Sequence, residues 1–133
     1  MRSRSIALAT GVFVALACSA RIVGDVQQSL DPLVVAPEHY QLEFENQYVR
    51  VIRSTYGPHE QSVMHQHQAE AVVIDLTDQD MHQVMLDGST IPRSSFKAGS
   101  VRWSGTAGVT HQDVNLSNER LEILRIKIKA ASH

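Results

Sequence analysis

Short runs of β-branched, aromatic and other apolar residues follow one another from residue 40 to the end of the chain. Glycine, proline, asparagine and aspartate break these runs at a spacing that is typical of a β-sandwich or barrel, and helix patterns are nearly absent. The pattern predicts eight strands, at residues 40–45, 48–56, 62–67, 71–77, 81–86, 100–103, 109–116 and 121–129. Strands joined by short turns in this way predict an all-β fold, a closed or doubly layered antiparallel barrel of the jelly-roll kind.

The last predicted strand shows the clearest alternation along the chain. Leu124, Ile126 and Ile128 alternate with basic residues that include Arg125 and Lys127, and successive side chains of a strand point to opposite faces of the sheet. We therefore expect the apolar face to pack and the basic face to be solvated. The apolar residues at 121 and 123 have the opposite parity, which predicts a bulge or twist near residues 123 and 124.

The first 20 residues have the pattern of an export signal. Arg2 and Arg4 form a basic head, residues 6–17 are an uncharged apolar core, and small residues suited to cleavage follow. Export predicts a periplasmic or extracellular protein. Residues 14–18 also resemble a bacterial lipobox, in which Cys18 becomes lipidated and anchors the protein to a membrane. A soluble secreted form and a lipoprotein are both open.

Residues 21–38 are polar, contain two prolines and show no sustained period, which predicts a linker or a loosely attached N-terminal arm. Residues 39–130 remain for a single barrel domain. The composition, with 43% hydrophobic residues and a formal net charge of -2, is that of a soluble globular protein and argues against a nucleic-acid partner. Because Cys18 is the only cysteine, the folded domain has no thiol for catalysis and no internal disulfide.

Histidines are the residues that point to chemistry, and they lie at positions 39, 59, 65, 67, 82, 111 and 133. His65 and His67 are two apart on a predicted strand, so their imidazoles lie on the same face and can converge on one metal ion. His59, His82 and His133 lie in a turn, on an exposed strand and at the C terminus, and none of them is a predicted ligand.

The spacing of these histidines resembles that of the cupin family. The first cupin motif places His-x-His after a glycine and before a glutamate, and the second ends in Gly-x2-His-x3-Asn. The matching residues are Gly57, His65, His67, Gly108, His111 and Asn115. The resemblance extends over about residues 38–129 and implies a double-stranded β-helix, the jelly-roll barrel of the small single-domain cupins.

Two positions depart from the family pattern. Glu70 comes one residue too early after His67 for the carboxylate ligand of the first motif. Gly105 stands where the second motif has proline, and an additional residue separates it from Gly108. We therefore expect a more flexible loop before His111, and whether Glu70 reaches the ion is open.

The resemblance implies that His65, His67 and His111, with Glu70 as a candidate fourth ligand, bind one divalent metal ion such as Fe, Mn, Ni, Cu or Zn. It implies a metal-dependent enzyme of the dioxygenase or lyase type that acts on a small organic acid. The alternative is a non-catalytic module of the cell envelope that binds or senses a small ligand, because one fold hosts many activities. Small cupins also pair through their outer sheets, which predicts a homodimer.

The sequence does not single out the residues that would assist the metal. The candidates for a general base are Tyr48, Tyr56 and Glu70. Three arginines lie on predicted strands, where an inward guanidinium could bind a substrate carboxylate and an outward one would be solvated. These arginines are Arg50, Arg53 and Arg102.

Overall fold

The computed structural model describes residues 29–92 and 95–129. One short helix, α1, covers Pro32–Val35. The strands are β1 Tyr40–Glu45, β2 Val49–Tyr56, β3 His65–Gln66, β4 Ala71–Asp75, β5 Met81–Met85, β6 Thr90–Pro92, β7 Val101–Ser104, β8 Thr110–Asn115 and β9 Leu121–Ile128. They form a five-stranded sheet of order β1-β2-β9-β4-β7 and a four-stranded sheet of order β3-β8-β5-β6, with antiparallel pairing throughout the described strands.

The predicted all-β architecture is confirmed, and each of the eight predicted strands has a counterpart. The third predicted strand, residues 62–67, differs most from the observed one, because regular pairing there is limited to His65–Gln66. Two short elements, α1 and β6, were not predicted. Strand β6 pairs only with β5 among the described strands and ends at a proline, and such edge strands have weak sequence signals.

The segment that precedes β1 is fixed to the barrel. The Asp31 carboxylate accepts a hydrogen bond from Arg50 Nη1 at 2.9 Å, and the Gln66 amide donates to the Leu30 carbonyl at 2.8 Å. Ala36 is fully buried in the apolar core. Residues 29–38 are thus a packed arm, whereas the sequence predicted a linker or loosely attached arm.

The predicted export signal, with Cys18, lies outside the described residues, so export and lipidation remain predictions. Within residues 29–92 and 95–129, no helix is long and apolar enough to cross a membrane.

Strand β9 has the opposite orientation to the predicted one. Arg125 and Lys127 are 5% and 4% exposed and face the interior, whereas Ile128 is 51% exposed. The pairing of β9 with β2 continues from one end of the strand to the other without a register shift, so the predicted bulge does not occur there. Leu121 and Ile123 belong to the buried core, and with a side-chain period of two they fix the orientation of every later residue of the strand.

Ile126 of β9 contributes to an apolar row on the outer side of the five-stranded sheet. Cross-strand pairs connect Phe44, Val51, Ile126, Val72 and Trp103 across all five strands. We call these five residues the outer row. Its two ends, Phe44 and Trp103, are 53% and 58% exposed. The outer side of the sheet therefore carries an apolar row, while the inner side of its central strand carries two cations.

Candidate metal centre

The four-stranded sheet brings three of the predicted ligands together. Strands β3 and β8 are antiparallel neighbours, and His65 lies directly opposite His111 in their register. His67 follows β3, and its carbonyl accepts a hydrogen bond from the Gly108 amide at 2.9 Å. Gly108 has a positive φ of 75°, a conformation that glycine adopts without strain. This turn holds His67 beside the beginning of β8.

A fourth ligand candidate, Asp113, lies two residues after His111 and therefore on the same face of β8. One ligand atom from each of His65, His67, His111 and Asp113 can be chosen so that all four lie within 4.8 Å of one another. All four side chains are buried, with exposures between 0% and 6%. We call these four residues the metal cluster.

The distances within the metal cluster match the spacing of atoms that share one ion. Asp113 Oδ2 lies 3.7 Å from His65 Nε2 and 3.8 Å from His111 Nε2. Neighbouring ligand atoms around a tetrahedral ion with bonds of about 2.1 Å would be about 3.4 Å apart. Small movements of these side chains would therefore bring them to bonding distance.

Backbone carbonyls select the tautomers of two of the histidines. The Nδ1 atom of His65 lies 3.0 Å from the Val63 carbonyl, and that of His111 lies 3.0 Å from the Val109 carbonyl. A carbonyl can only accept, so each Nδ1 carries the proton and each Nε2 presents a lone pair to the cluster. Metal-binding histidines are commonly oriented by such a bond from the other ring nitrogen.

Burial favours neutral imidazoles in this cluster. Burial lowers the pKa of His67 well below its usual value, and the positive charge of Arg125 adds to the effect. Burial also lowers the pKa of His65, although Asp113 acts in the opposite direction. Neutral imidazole is the form that binds a metal ion, so the pKa shifts keep these side chains ready as ligands near neutral pH.

The donor set fits a divalent transition metal. Three imidazoles and one carboxylate suit Fe, Mn, Ni, Cu or Zn, and His67 Nδ1 is a buried nitrogen without a hydrogen-bond partner in the described structure. Buried polar atoms normally have a partner. A ligand bound to the cluster would supply one.

Tyr40, which the sequence did not single out, connects the cluster to a second group of polar residues. Its hydroxyl lies 2.9 Å from His65 Nε2, 3.2 Å from Asp113 Oδ2 and 2.6 Å from the Tyr56 hydroxyl. The ring of His39 stacks on Tyr56 with centroids 4.5 Å apart. Burial raises the pKa of Tyr40 well above its usual value, and Tyr56 and Asp113 reinforce the effect. Tyr40 therefore keeps its proton at the edge of the cluster.

Glu70 and the other general-base candidates lie in different surroundings. The structure does not bring Glu70 into the metal cluster, and its side chain is exposed. Tyr48 is 64% exposed, whereas Tyr56 is fully buried and bonded to Tyr40. Asp113 takes the place in the donor set for which the sequence offered Glu70.

The three arginines that the sequence suggested for substrate binding contact carboxylates of the protein itself. Arg53 is bonded to Glu43 and Glu122, at 2.6 and 2.7 Å. Arg102 makes two bonds to the buried Asp75, at 3.1 and 3.0 Å. Arg50 is bonded to the arm, as described above, so all three have an internal partner.

A cavity of about 560 Å³ lies between the arm and the segment before β3. Its lining residues are Ser29, Leu30, Val34, Val35, Val63 and Met64. None of the four cluster residues lines it. We assign the functional site from the chemistry of the metal cluster, because this cavity offers almost no groups for catalysis.

Solved structures show the same fold. A cupin domain from Bordetella pertussis Tohama I is similar with a TM-score of 0.61 and 23% identity, over 68% of this chain and 92% of that chain. A cupin 2 conserved barrel domain protein from Salinispora arenicola gives a TM-score of 0.50 and 23% identity, over 68% and 75%. An RmlC-like cupin with a double-stranded β-helix fold from Methanocaldococcus jannaschii gives 0.50 and 14%, over 67% and 77%.

No protein-family model matches the chain, and no curated protein matches it. At these identities the solved structures establish the fold and no activity. The predicted jelly-roll barrel of a small cupin-type domain is confirmed.

Proposed function

We propose that this cupin-fold domain is a metal-dependent enzyme that acts on a small organic acid. In this proposal His65, His67, His111 and Asp113 hold one divalent metal ion inside the barrel. The observation that carries it is the metal cluster itself, in which four buried ligand atoms lie within 4.8 Å and two imidazoles have their Nε2 lone pairs directed by backbone carbonyls. A bound dication supplies Lewis-acid or oxygen-activating chemistry to a coordinated substrate.

The protein's own residues supply orientation and a hydrogen-bond donor. Tyr40 has one hydroxyl proton to share between His65 Nε2 and Asp113 Oδ2, and the Tyr56 hydroxyl can donate to its oxygen. With its raised pKa, Tyr40 keeps its proton, so it is a hydrogen-bond donor to a substrate oxygen at the cluster and not a base. The barrel wall excludes bulk water and so strengthens each of these polar contacts.

Elemental analysis of full-length protein purified without chelator tests the metal site. We expect about one divalent ion per chain, nearly complete loss of the ion in the His65→Ala/His67→Ala double variant, and strong loss in Asp113→Asn. Glu70→Gln is the matched control, because it neutralises an exposed carboxylate close to the same histidines in sequence, and it should keep the wild-type metal content. Metal binding that survives the double variant would overturn the proposed site.

Turnover is tested by offering the metal-loaded protein small carboxylic acids while oxygen uptake and product formation are recorded. Product with oxygen consumption identifies a dioxygenase, and product without it identifies a lyase or isomerase. Tight ligand binding without product in fully metallated protein would replace the enzyme by the binding module.

A further inference from the structure

The central strand of the five-stranded sheet places two cations inside the barrel. Arg125 and Lys127 project inward from β9 and are 5% and 4% exposed. Arg125 Nη2 donates to Ser104 Oγ at 3.1 Å. Lys127 Nζ is buried and has no hydrogen-bond partner in the part of the chain that the structure describes. A buried ammonium without a partner is costly for a protein to keep, so this position calls for an anion.

Both cations act on the metal cluster. The charge of Arg125 lowers the pKa of His65 and of His67, and the charge of Lys127 also lowers that of His67. The charge of Arg125 also acts to lower the pKa of Tyr40, against the larger effect of burial. The burial of both side chains, on the same face of β9 as Leu121 and Ile123, places the guanidinium and the ammonium in the interior of the barrel.

The two carboxylates that raise the pKa of Lys127 already have other partners. Burial lowers the pKa of Lys127, and among the neighbouring charges Asp31 opposes this most strongly. Asp31 is bonded to Arg50 at 2.9 Å. Glu45, which acts on Lys127 more weakly, contacts Lys129 Nζ at 2.7 Å. The buried ammonium of Lys127 is thus the group with which the negative charge of a ligand could pair.

The charges of the interior favour an acidic ligand. Asp75 is matched by Arg102, so the other buried charges among the described residues are Arg125 and Lys127 and the carboxylate of Asp113. A bound dication would increase this positive excess further. A ligand with two negative charges would neutralise it better than a neutral molecule or a monoanion.

We propose that Arg125 and Lys127 form an anion subsite that binds one carboxylate of the substrate, while oxygens at its other end bind at the metal cluster. This inference rests on the proposed metal-dependent function and narrows its substrate class to small dicarboxylates. The arginine offers a planar fork that matches a carboxylate, and the lysine adds a point charge.

Malonate binding to the full-length protein, measured by calorimetry with metal-loaded and EDTA-treated samples, tests the subsite. In Lys127→Met we expect malonate to bind about tenfold more weakly or worse, because a charge-assisted hydrogen bond is lost. Lys127→Arg should recover most of the affinity. Lys97→Met is the matched control, because Lys97 is an exposed lysine bonded to Asp78, and this variant should leave malonate binding unchanged.

Folding and metal content are measured on each variant. Lys127→Met should keep the wild-type metal content and have a thermal midpoint at or above that of wild type, because methionine fills a similar volume without a buried charge. Unchanged malonate affinity in this variant would overturn the subsite, and phosphate binding more tightly than malonate would overturn the carboxylate assignment. If wild type held no metal, the proposed function would fail, and malonate binding by the EDTA-treated protein would still decide on the subsite.

Discussion

Two buried histidines with lowered pKa values give the metal-free protein a specific dependence of stability on pH. His65 and His67 have native pKa values below their usual value because of burial, whereas in the unfolded chain they titrate near about 6.5. Above that pH both states are neutral and the stability is complete. As the pH falls below about 6.5, these histidines bind protons in the unfolded chain but not in the native barrel, so the free energy of unfolding decreases.

The magnitude follows from the number of protons involved. Each histidine that is protonated only in the unfolded state contributes a slope of up to about 1.4 kcal/mol per pH unit. His65 and His67 together give up to about 2.7 kcal/mol per pH unit over the range from about 6.5 down to their native pKa values. That is a large part of the stability of a typical small domain, which is about 5–15 kcal/mol.

Urea unfolding of EDTA-treated protein at several pH values between about 7.5 and 5.5 measures this slope. The range avoids most carboxylate titration. His67→Gln should flatten the slope, and the His65→Gln/His67→Gln double variant should flatten it further, whatever constant cost the substitutions add at every pH. Gln68→Ala, a change at an exposed neighbour, should keep the wild-type slope. Equal slopes in wild type and the double variant would refute the assignment of neutral, buried imidazoles.

Three further outcomes are expected. Tyr40→Phe should weaken metal binding about tenfold and lower the free energy of unfolding by about 1–3 kcal/mol, because Tyr56 and Asp113 lose a buried partner. Metal titration measures the first effect and urea unfolding the second. Wild-type values in both measurements would contradict the role of the hydroxyl. A homodimer that covers the outer row should dissociate in Trp103→Lys with its metal content intact, as measured by analytical ultracentrifugation, whereas a monomeric wild type would exclude it. Cell fractionation should find the protein outside the cytoplasm, and Cys18→Ala should release it from membranes if the lipobox is used; uncleaved protein in the cytosol would contradict export.

The strands and the pair His65 and His67 could be predicted from local patterns in the sequence, and His111 was added through the resemblance to the second cupin motif. Alternation and turn residues fixed the strand positions, and the His-x-His spacing placed His65 and His67 on one face. Asp113 was missed although it stands in the same relation to His111, because the expected carboxylate was sought near Glu70. Tyr40 was missed because it comes from the opposite sheet, and only the packing of the two sheets brings it to His65.

The orientation of β9 could not be predicted from its own residues. One face is apolar after Glu122, and the other begins apolar and ends basic, so hydropathy alone favoured the wrong face. The neighbouring strands determine which face of β9 points inward. They complete a core around Leu121 and Ile123 and an apolar outer row that includes Ile126. Arg125 and Lys127 are then carried inward as a consequence of the pleat.

The place of β9 in its sheet also sets the order in which the protein can assemble. It is the last described strand of the chain, yet it lies between β2 and β4, and without it the sheet separates into the pairs β1-β2 and β4-β7. Two-stranded pieces are marginal in water, and pairing of distant segments is slow. The five-stranded sheet is therefore complete only when β9 has been synthesised, and the pairing of β9 also brings Arg125 and Lys127 into the barrel.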